Sequence, residues 1–175
     1  HRLGLDNRLF QSMILKAKQN PKRVVYAEGN NLKVLRAASE VLREGIAYPI
    51  LLGNVNEITQ IIAENHLDLG DSPIIDPQHQ ESKEVRKKFA ETIWKKRQRK
   101  GVTLEEAYGL TSLNNFFGIM MVDTGMADAM ISGVTSHYGD VMSPALKLIG
   151  PKPNLNHISS MSIIMTKKGP LFIAD

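Results

Sequence analysis

The chain alternates compact apolar runs with longer segments in which apolar residues recur every three or four positions. The runs that predict buried strands are RVVYA at 23–27, YPILLG at 48–53, PIID at 73–76 and AMIS at 129–132. Between the first two runs, Leu35, Ala38 and Leu42 lie on one face of a helix that is expected to stop at Gly45. This alternation predicts an α/β fold, with a parallel sheet and helices on both of its faces.

Capping signals and apolar spacing predict further helices. Asn54 is expected to be the N-cap of the helix that follows the second strand. Thr103 and Glu106 have the spacing of a capping box. In the basic segment before them, Phe89 and Ile93 recur at a spacing of four, which predicts that one face of that helix packs inward.

The pattern changes toward the end of the chain. Pro144, Pro151 and Pro153 are expected to bracket a helix and a linker, and ISSMSIIM, TKKG and PLFIAD then predict an antiparallel hairpin. We therefore assign residues 1–150 to a first α/β lobe and residues 151–175 to the incomplete beginning of a second α/β lobe. Two strands are marginal as an independent unit, so the chain is expected to be a piece of a longer protein.

Positive charge is confined to one segment of the sequence. From Lys83 to Lys100, nine Lys and Arg stand against two Glu, an excess of seven, so the rest of the chain carries −3 of the net +4. Such local basicity argues against a nucleic-acid partner. No apolar run approaches the ~20 residues that span a bilayer, which argues against a membrane protein. The absence of cysteine fits a reducing, cytoplasmic location.

The loop after the AMIS run is the first candidate for chemistry. In an open parallel sheet, ligands bind beyond the carboxyl ends of the strands. Glycine lets a backbone approach an anion closely, and backbone N–H groups before a helix supply partial positive charge. The alternative is a turn whose hydroxyls cap the next helix. The candidate anion-binding residues are Ser132, Gly133, Val134, Thr135 and Ser136.

Three other polar residues are weaker candidates. Arg97, near the turn at Gly101, is a candidate partner for a diphosphate, although a basic helix is usually a solvated face. Glu28 follows a buried strand as a helix-start acid, a cleft carboxylate or a turn residue. His137 is more typical of a hydrogen-bonding or solvent-facing histidine than of a base. The other histidines are isolated, so no metal site and no catalytic residue is predicted.

Five segments in series, KRVVYAEGNNLKVLRAA, AYPILLG, RKGVT, FFGIMMVDTGMADAMISGVT and GPLFIAD, resemble the phosphate acetyl/butyryltransferase family. The resemblance implies two α/β domains with a cleft in which coenzyme A and acetyl phosphate meet. It places Ser132, Gly133 and Thr135 in the anion loop. It also matches Arg97 to an arginine that contacts coenzyme A or phosphate. The family's remaining catalytic Ser, Arg and Asp follow the FIAD segment.

Within the family, GVTSHY and KRVVYAEG are more similar to the phosphotransacetylase-like C-terminal domain of bacterial NADP-dependent malic enzymes. That version implies a regulatory domain that binds acetyl-CoA or a related phosphate-containing ligand. NADP and a divalent metal would then belong only to the malic-enzyme portion, which this chain lacks. The first alternative is a divergent free-standing phosphate acetyltransferase, and the second is an oligomerisation module that binds nothing. The family resemblance also implies a homodimer or a higher homo-oligomer.

Two departures from the family pattern bear on activity. Ser143 stands where active transferases place an arginine before PAL, and Ser136 stands where malic-enzyme versions often place one. A hydrogen bond to a charged group is worth about 1.5–3 kcal/mol, so two missing cations would weaken binding or turnover by orders of magnitude. We therefore predict that the chain alone has no transferase activity.

Overall fold

The computed structural model describes residues 8–152, 154, 158–166 and 169–174. Its helices are α1 Arg8–Gln19, α2 Leu32–Arg43, α3 Val55–Glu64, α4 Lys83–Arg97, α5 Leu104–Leu110, α6 Asn114–Asp123 and α7 Tyr138–Leu148. Its strands are β1 Lys22–Tyr26, β2 Ala47–Leu52, β3 Ile74–Ile75, β4 Ala129–Ile131, β5 Met161–Thr166 and β6 Gly169–Ala174. The strands and helices that the apolar pattern predicts are therefore present.

The first four strands form one parallel sheet in the order β3-β2-β1-β4. Val25 in the central strand β1 pairs with Ile50 of β2 on one side and with Met130 of β4 on the other. Because every strand runs in the same direction, all four carboxyl ends lie along one edge. The loops that follow β1, β2, β3 and β4 therefore meet at that edge.

Successive residues of the central strands face opposite sides of the sheet. Leu52 packs into a cluster with Phe89 of α4 and Phe117 of α6, whereas its neighbour Leu51 packs with Leu35 of α2 and with α3. All of these side chains are buried. Burying a large apolar side chain contributes about 1.5–3 kcal/mol, so both faces of the sheet need a helical cover. The prediction of helices on both faces is confirmed.

Helix α6 packs closely against the sheet. The ring of Phe117 meets that of Phe89 edge to face, with the ring centroids 5.1 Å apart. Gly118 lies against Met130 of β4 and Val25 of β1, where the missing side chain lets the helix backbone come close. This contact fixes the N-terminus of α6 above the carboxyl ends of the strands.

The predicted caps are present. Asn54 Oδ1 accepts a hydrogen bond from the Glu57 amide at 3.1 Å. Thr103 Oγ1 accepts from the Glu106 amide, and Glu106 Oε2 accepts from the Thr103 amide, which completes the capping box. Gly45 follows α2 with a φ of 65°, a conformation that glycine adopts without strain.

Pro144 does not bound a helix, so that prediction is wrong. The proline lies inside α7, which runs from Tyr138 to Leu148. Proline has no N–H, so the carbonyl of Asp140, four residues earlier, lacks its usual helical donor. Asn115 Nδ2 lies 3.4 Å from this carbonyl oxygen and donates to it. A side chain from α6 thus replaces the lost backbone bond; Pro153 lies outside the described residues.

Strands β5 and β6 form a separate antiparallel hairpin, as predicted, with Thr166 paired to Gly169. The turn residues Lys167 and Lys168 lie outside the described residues. The hairpin carries large apolar side chains that are exposed: Met161, Ile163, Ile164, Leu171, Phe172 and Ile173. The division into lobes at residue 150 stays a prediction. In the described part of the chain, no helix combines the length and the apolar character that crossing a bilayer requires.

Candidate functional site

A cleft of about 760 Å³ lies at the carboxyl edge of the parallel sheet. It is lined by Ala27 and Glu28 after β1, by Gly53 after β2 and by Asp76 after β3. Thr135, from the loop after β4, closes its other side. This is the position in which open parallel sheets bind ligands.

The polar lining of this cleft consists of side-chain amides, carboxylates and two hydroxyls. Among the described residues that line it, there is no Lys, Arg or His. A phosphate group in the cleft would therefore meet hydrogen-bond donors without a compensating side-chain cation. The polar lining residues are Asn30, Asn31, Asn54, Gln78, Asn114, Asn115, Glu28, Asp76, Asp140, Thr135 and Ser136.

The loop 132–136 holds an anion, and that anion is the chain's own Glu28. Glu28 Oε2 accepts from the amides of Gly133 at 2.9 Å and Val134 at 2.7 Å. Glu28 Oε1 accepts from the Thr135 amide and hydroxyl, both at 2.7 Å. It also accepts from the Ser136 amide at 2.8 Å and hydroxyl at 3.0 Å. Consecutive amides that converge in this way form an anion-binding nest.

This contact bears on the earlier alternatives for the loop and for Glu28, which also lies in a turn because its carbonyl accepts from the Asn31 amide at 3.0 Å. The hydroxyls of Thr135 and Ser136 bind the carboxylate, and His137, at the N-cap of α7, makes no side-chain cap bond. The loop is therefore not a turn whose hydroxyls cap the helix. Glu28 is a cleft carboxylate, and the geometry of the loop suits an anion.

The nest stabilises the ionised form of Glu28. Partial burial alone would raise the pKa of this carboxyl, but hydrogen bonds from Thr135 and the neighbouring amides outweigh it and lower the pKa from 4.5 to about 2. Glu28 therefore stays ionised, and bound to the loop, throughout the neutral and mildly acidic range.

We expect the contact between Glu28 and its loop to weaken only in strong acid. Because the folded pKa lies below the ordinary 4.5, the contact stabilises the fold fully above that pH and is lost as the pH falls toward 2. NMR titration of the Glu28 carboxyl carbon should give a midpoint of about 2. Over the same range, the stability difference between wild type and Glu28→Gln should shrink. A midpoint near 4.5 would contradict the contact between the Glu28 carboxylate and the loop amides.

The N-terminus of α6 supplies a part of the site that the sequence analysis missed. Asn114 Nδ2 donates to the carbonyls of Ala27 at 2.9 Å and Leu52 at 3.4 Å, so it joins the ends of β1 and β2. Asn115 Oδ1 accepts from Ser132 Oγ at 2.8 Å and ties the loop to α6. The only signal in the sequence was a pair of asparagines at the start of a predicted helix.

The structure brings some of the predicted residues together and leaves one apart. Thr135 and Ser136 line the cleft, and Gly133 and Val134 point their amides at Glu28. Arg97 does not line the cleft; it is the last residue of α4 and is half-buried there. Its contact with phosphate or coenzyme A stays a prediction.

The open parallel sheet covered by helices, with the loop that holds Glu28 beside a polar cleft, is an α/β fold, and comparison with known proteins agrees. The profile of the phosphate acetyl/butaryl transferase family matches residues 8–175. A phosphate acetyltransferase from Thermoanaerobacterium thermosaccharolyticum is 39% identical over 156 residues, which cover 89% of this chain and 46% of the relative. A solved phosphotransacetylase from Staphylococcus aureus superposes with a TM-score of 0.79 at 26% identity, over 93% of this chain and 49% of its own.

The chain belongs to the phosphate acetyl/butaryl transferase family. A second relative, the phosphate acetyltransferase from Clostridium acetobutylicum, is 30% identical over 173 residues, which cover 95% of this chain and 51% of that protein. The chain therefore spans about half the length of these relatives. The family resemblance is confirmed. The names of these relatives support the free-standing alternative rather than a malic-enzyme domain.

Proposed function

We propose that the chain is the first lobe and the beginning of the second lobe of a phosphate acetyltransferase, which transfers acetyl between acetyl phosphate and coenzyme A. The observation that carries the proposal is the nest at 133–136, which opens on a cleft at the carboxyl edge of the sheet. The names of the relatives supply the class of reaction, and the family resemblance implies the substrates. In this proposal, the loop Ser132–Ser136 lies beside the phosphoryl group of acetyl phosphate.

The reaction makes two demands that can be compared with the cleft. The thiol of coenzyme A loses a proton and attacks the acetyl carbonyl carbon; a C–S bond forms, the bond to the phosphate oxygen breaks, and phosphate leaves. The attacking thiol needs a base, and the departing phosphate needs donors or cations. The loop offers donors, but no Lys, Arg or His lies among the described lining residues. The missing groups belong, in this proposal, to a second lobe of which β5 and β6 are the first strands.

The malic-enzyme hypothesis receives no support from the cleft or from the relatives reported above. It rests on the segments GVTSHY and KRVVYAEG alone. NADP, a divalent metal and a regulatory role are therefore not part of the proposal. The ligands are coenzyme A or acetyl-CoA together with acetyl phosphate, and the homo-oligomer that the resemblance implies stays a prediction.

An acetyl-transfer assay tests the proposal. With acetyl phosphate and coenzyme A as substrates, the chain alone is expected to form no acetyl-CoA above the uncatalysed rate. A chimera that continues this chain with the remaining C-terminal part of the Thermoanaerobacterium thermosaccharolyticum relative is expected to turn over. Turnover by the chain alone would show that the chain is complete as a catalyst. A folded chimera that binds coenzyme A without turnover would refute the proposed function.

A further inference from the structure

Glu28 occupies the donors that the proposed function assigns to a phosphoryl group. We propose that Glu28 is a built-in competitor, which closes the loop Gly133–Ser136 to external anions until its carboxylate is displaced. The inference rests on the proposed function, because it concerns the same loop. It adds that phosphate binding at this loop is an exchange of one anion for another.

Phosphate can bind the loop only in exchange for Glu28, because the carboxylate occupies all of the donors at 133–136. Both carboxylate oxygens are engaged, and together they accept from four consecutive amides and two hydroxyls. A phosphoryl group in the same nest needs those donors, and its own charge repels the carboxylate. The two anions therefore exclude one another. In the described part of the chain, no second acceptor takes these four amides.

The loop is anchored independently of Glu28, so it has a framework when the carboxylate leaves. At its start, the Ile131 carbonyl accepts from the Ala27 amide at 3.1 Å, and Ser132 is tied to Asn115. At its end, the Asp140 amide donates to the His137 carbonyl at 3.0 Å, within the first turn of α7. Glu28 itself is half-buried, at the beginning of the connection between β1 and α2. Its side chain can leave the nest without unpairing the sheet.

A tethered carboxylate competes strongly with a dissolved anion. Its effective concentration at the nest is on the order of millimolar or higher, as for any group joined by a short linker. Phosphate binds only to molecules in which the nest is empty. Its apparent Kd is therefore the intrinsic Kd divided by the fraction of such molecules. Removing the carboxylate should therefore raise the affinity for an anion of the same shape and charge as the phosphoryl group.

Titration with inorganic phosphate tests the competition on the chain as it is. The amide resonances of Gly133, Val134, Thr135 and Ser136 report binding directly. We expect Glu28→Ala to bind phosphate about tenfold or more tightly than wild type, as expected when one charge-assisted competitor is removed. Asp140→Asn is the matched control, because it removes one negative charge from the same cleft without touching the nest. It should change the affinity by less than about threefold, as expected for a screened charge.

Each outcome of the titration decides whether Glu28 competes with phosphate for the loop. If folded Glu28→Ala binds phosphate no better than wild type, or loses ordered loop amides and binds more weakly, Glu28 is a positioning residue and the proposal is overturned. An equal gain of phosphate affinity in Asp140→Asn would show that the effect comes from the net charge of the cleft. That result would also overturn the proposal. If Glu28→Ala does not fold, Glu28→Gln decides: it keeps the size of the side chain, loses the charge and should show a smaller gain. Phosphate binding by the Glu28 variants without acetyl transfer by the chimera would refute the function and leave this inference standing.

Discussion

Replacing Phe117 by alanine is expected to lower the free energy of unfolding by about 3–5 kcal/mol, as for large-to-small changes in a close-packed core. The side chain is 1% exposed and packs edge to face on Phe89 in the cluster beneath the sheet. Alanine removes both the buried apolar surface and the aromatic contact and leaves a cavity. Urea denaturation followed by circular dichroism should show a large fall in the transition midpoint.

The matched control for this change is Leu15→Ala. Leu15 lies on α1 with 63% of its surface exposed, so little burial is lost. Its effect should stay within about 0.5 kcal/mol, as is usual for surface positions. If Phe117→Ala were as mild as the control, the ring would not be part of the core that positions α6.

Replacing Gly118 by valine should destabilise the fold by about 1–3 kcal/mol, the usual cost of overpacking. A Cβ at this position would lie 2.6 Å from Met130 Sδ, 3.1 Å from Val25 Cγ1 and 3.3 Å from Leu52 Cδ1. Met130 is able to move aside, but Val25 and Leu52 are fully buried in the sheet. We therefore expect the helix to shift away from the sheet, and the side-chain amide of Asn114 to move away from the carbonyls of Ala27 and Leu52. The same denaturation experiment measures the change.

Gly109→Ala should change the stability of the fold in the opposite direction. Gly109 is also a helical glycine, but a Cβ there meets nothing within 4 Å. Alanine is favoured over glycine in a helix by about 0.8–1.0 kcal/mol, so this variant should be neutral or more stable. Equal effects at positions 109 and 118 would show that helix propensity, rather than contact with the sheet, governs both glycines.

The sequence was a good guide wherever the cause is local. The cap at Asn54, the capping box at Thr103 and the stop at Gly45 depend on residues within one turn, and all three are present. Pro144 was misread because its effect depends on a distant partner. Asn115 of α6 donates to the Asp140 carbonyl that the proline leaves without a helical donor. The sequence of α7 gives no signal of that contact.

In the candidate site, too, the sequence predicts the features with local causes and not those that depend on distant residues. Glycine and hydroxyl residues after a strand predicted an anion-binding loop, because nests are built from consecutive backbone amides. The identity of the anion was beyond reach, since Glu28 and Thr135 are 107 positions apart in the chain. Only the parallel register of β1 with β4 brings them together. The amides of Asn114 and Asn115 were missed for the same reason, because their partners lie on other elements.

The exposed hairpin formed by β5 and β6 has a consequence for how the isolated chain behaves in solution. Each of its two strands pairs with another strand on one side only within the described residues. Ile163, Phe172 and Ile173 add apolar surface next to these open edges. Open edges with apolar side chains are templates for edge-to-edge aggregation. We therefore expect the hairpin to limit the solubility of the isolated chain. It lies far along the chain from Glu28, so a variant that aggregates and a variant that fails to bind phosphate would differ in cause.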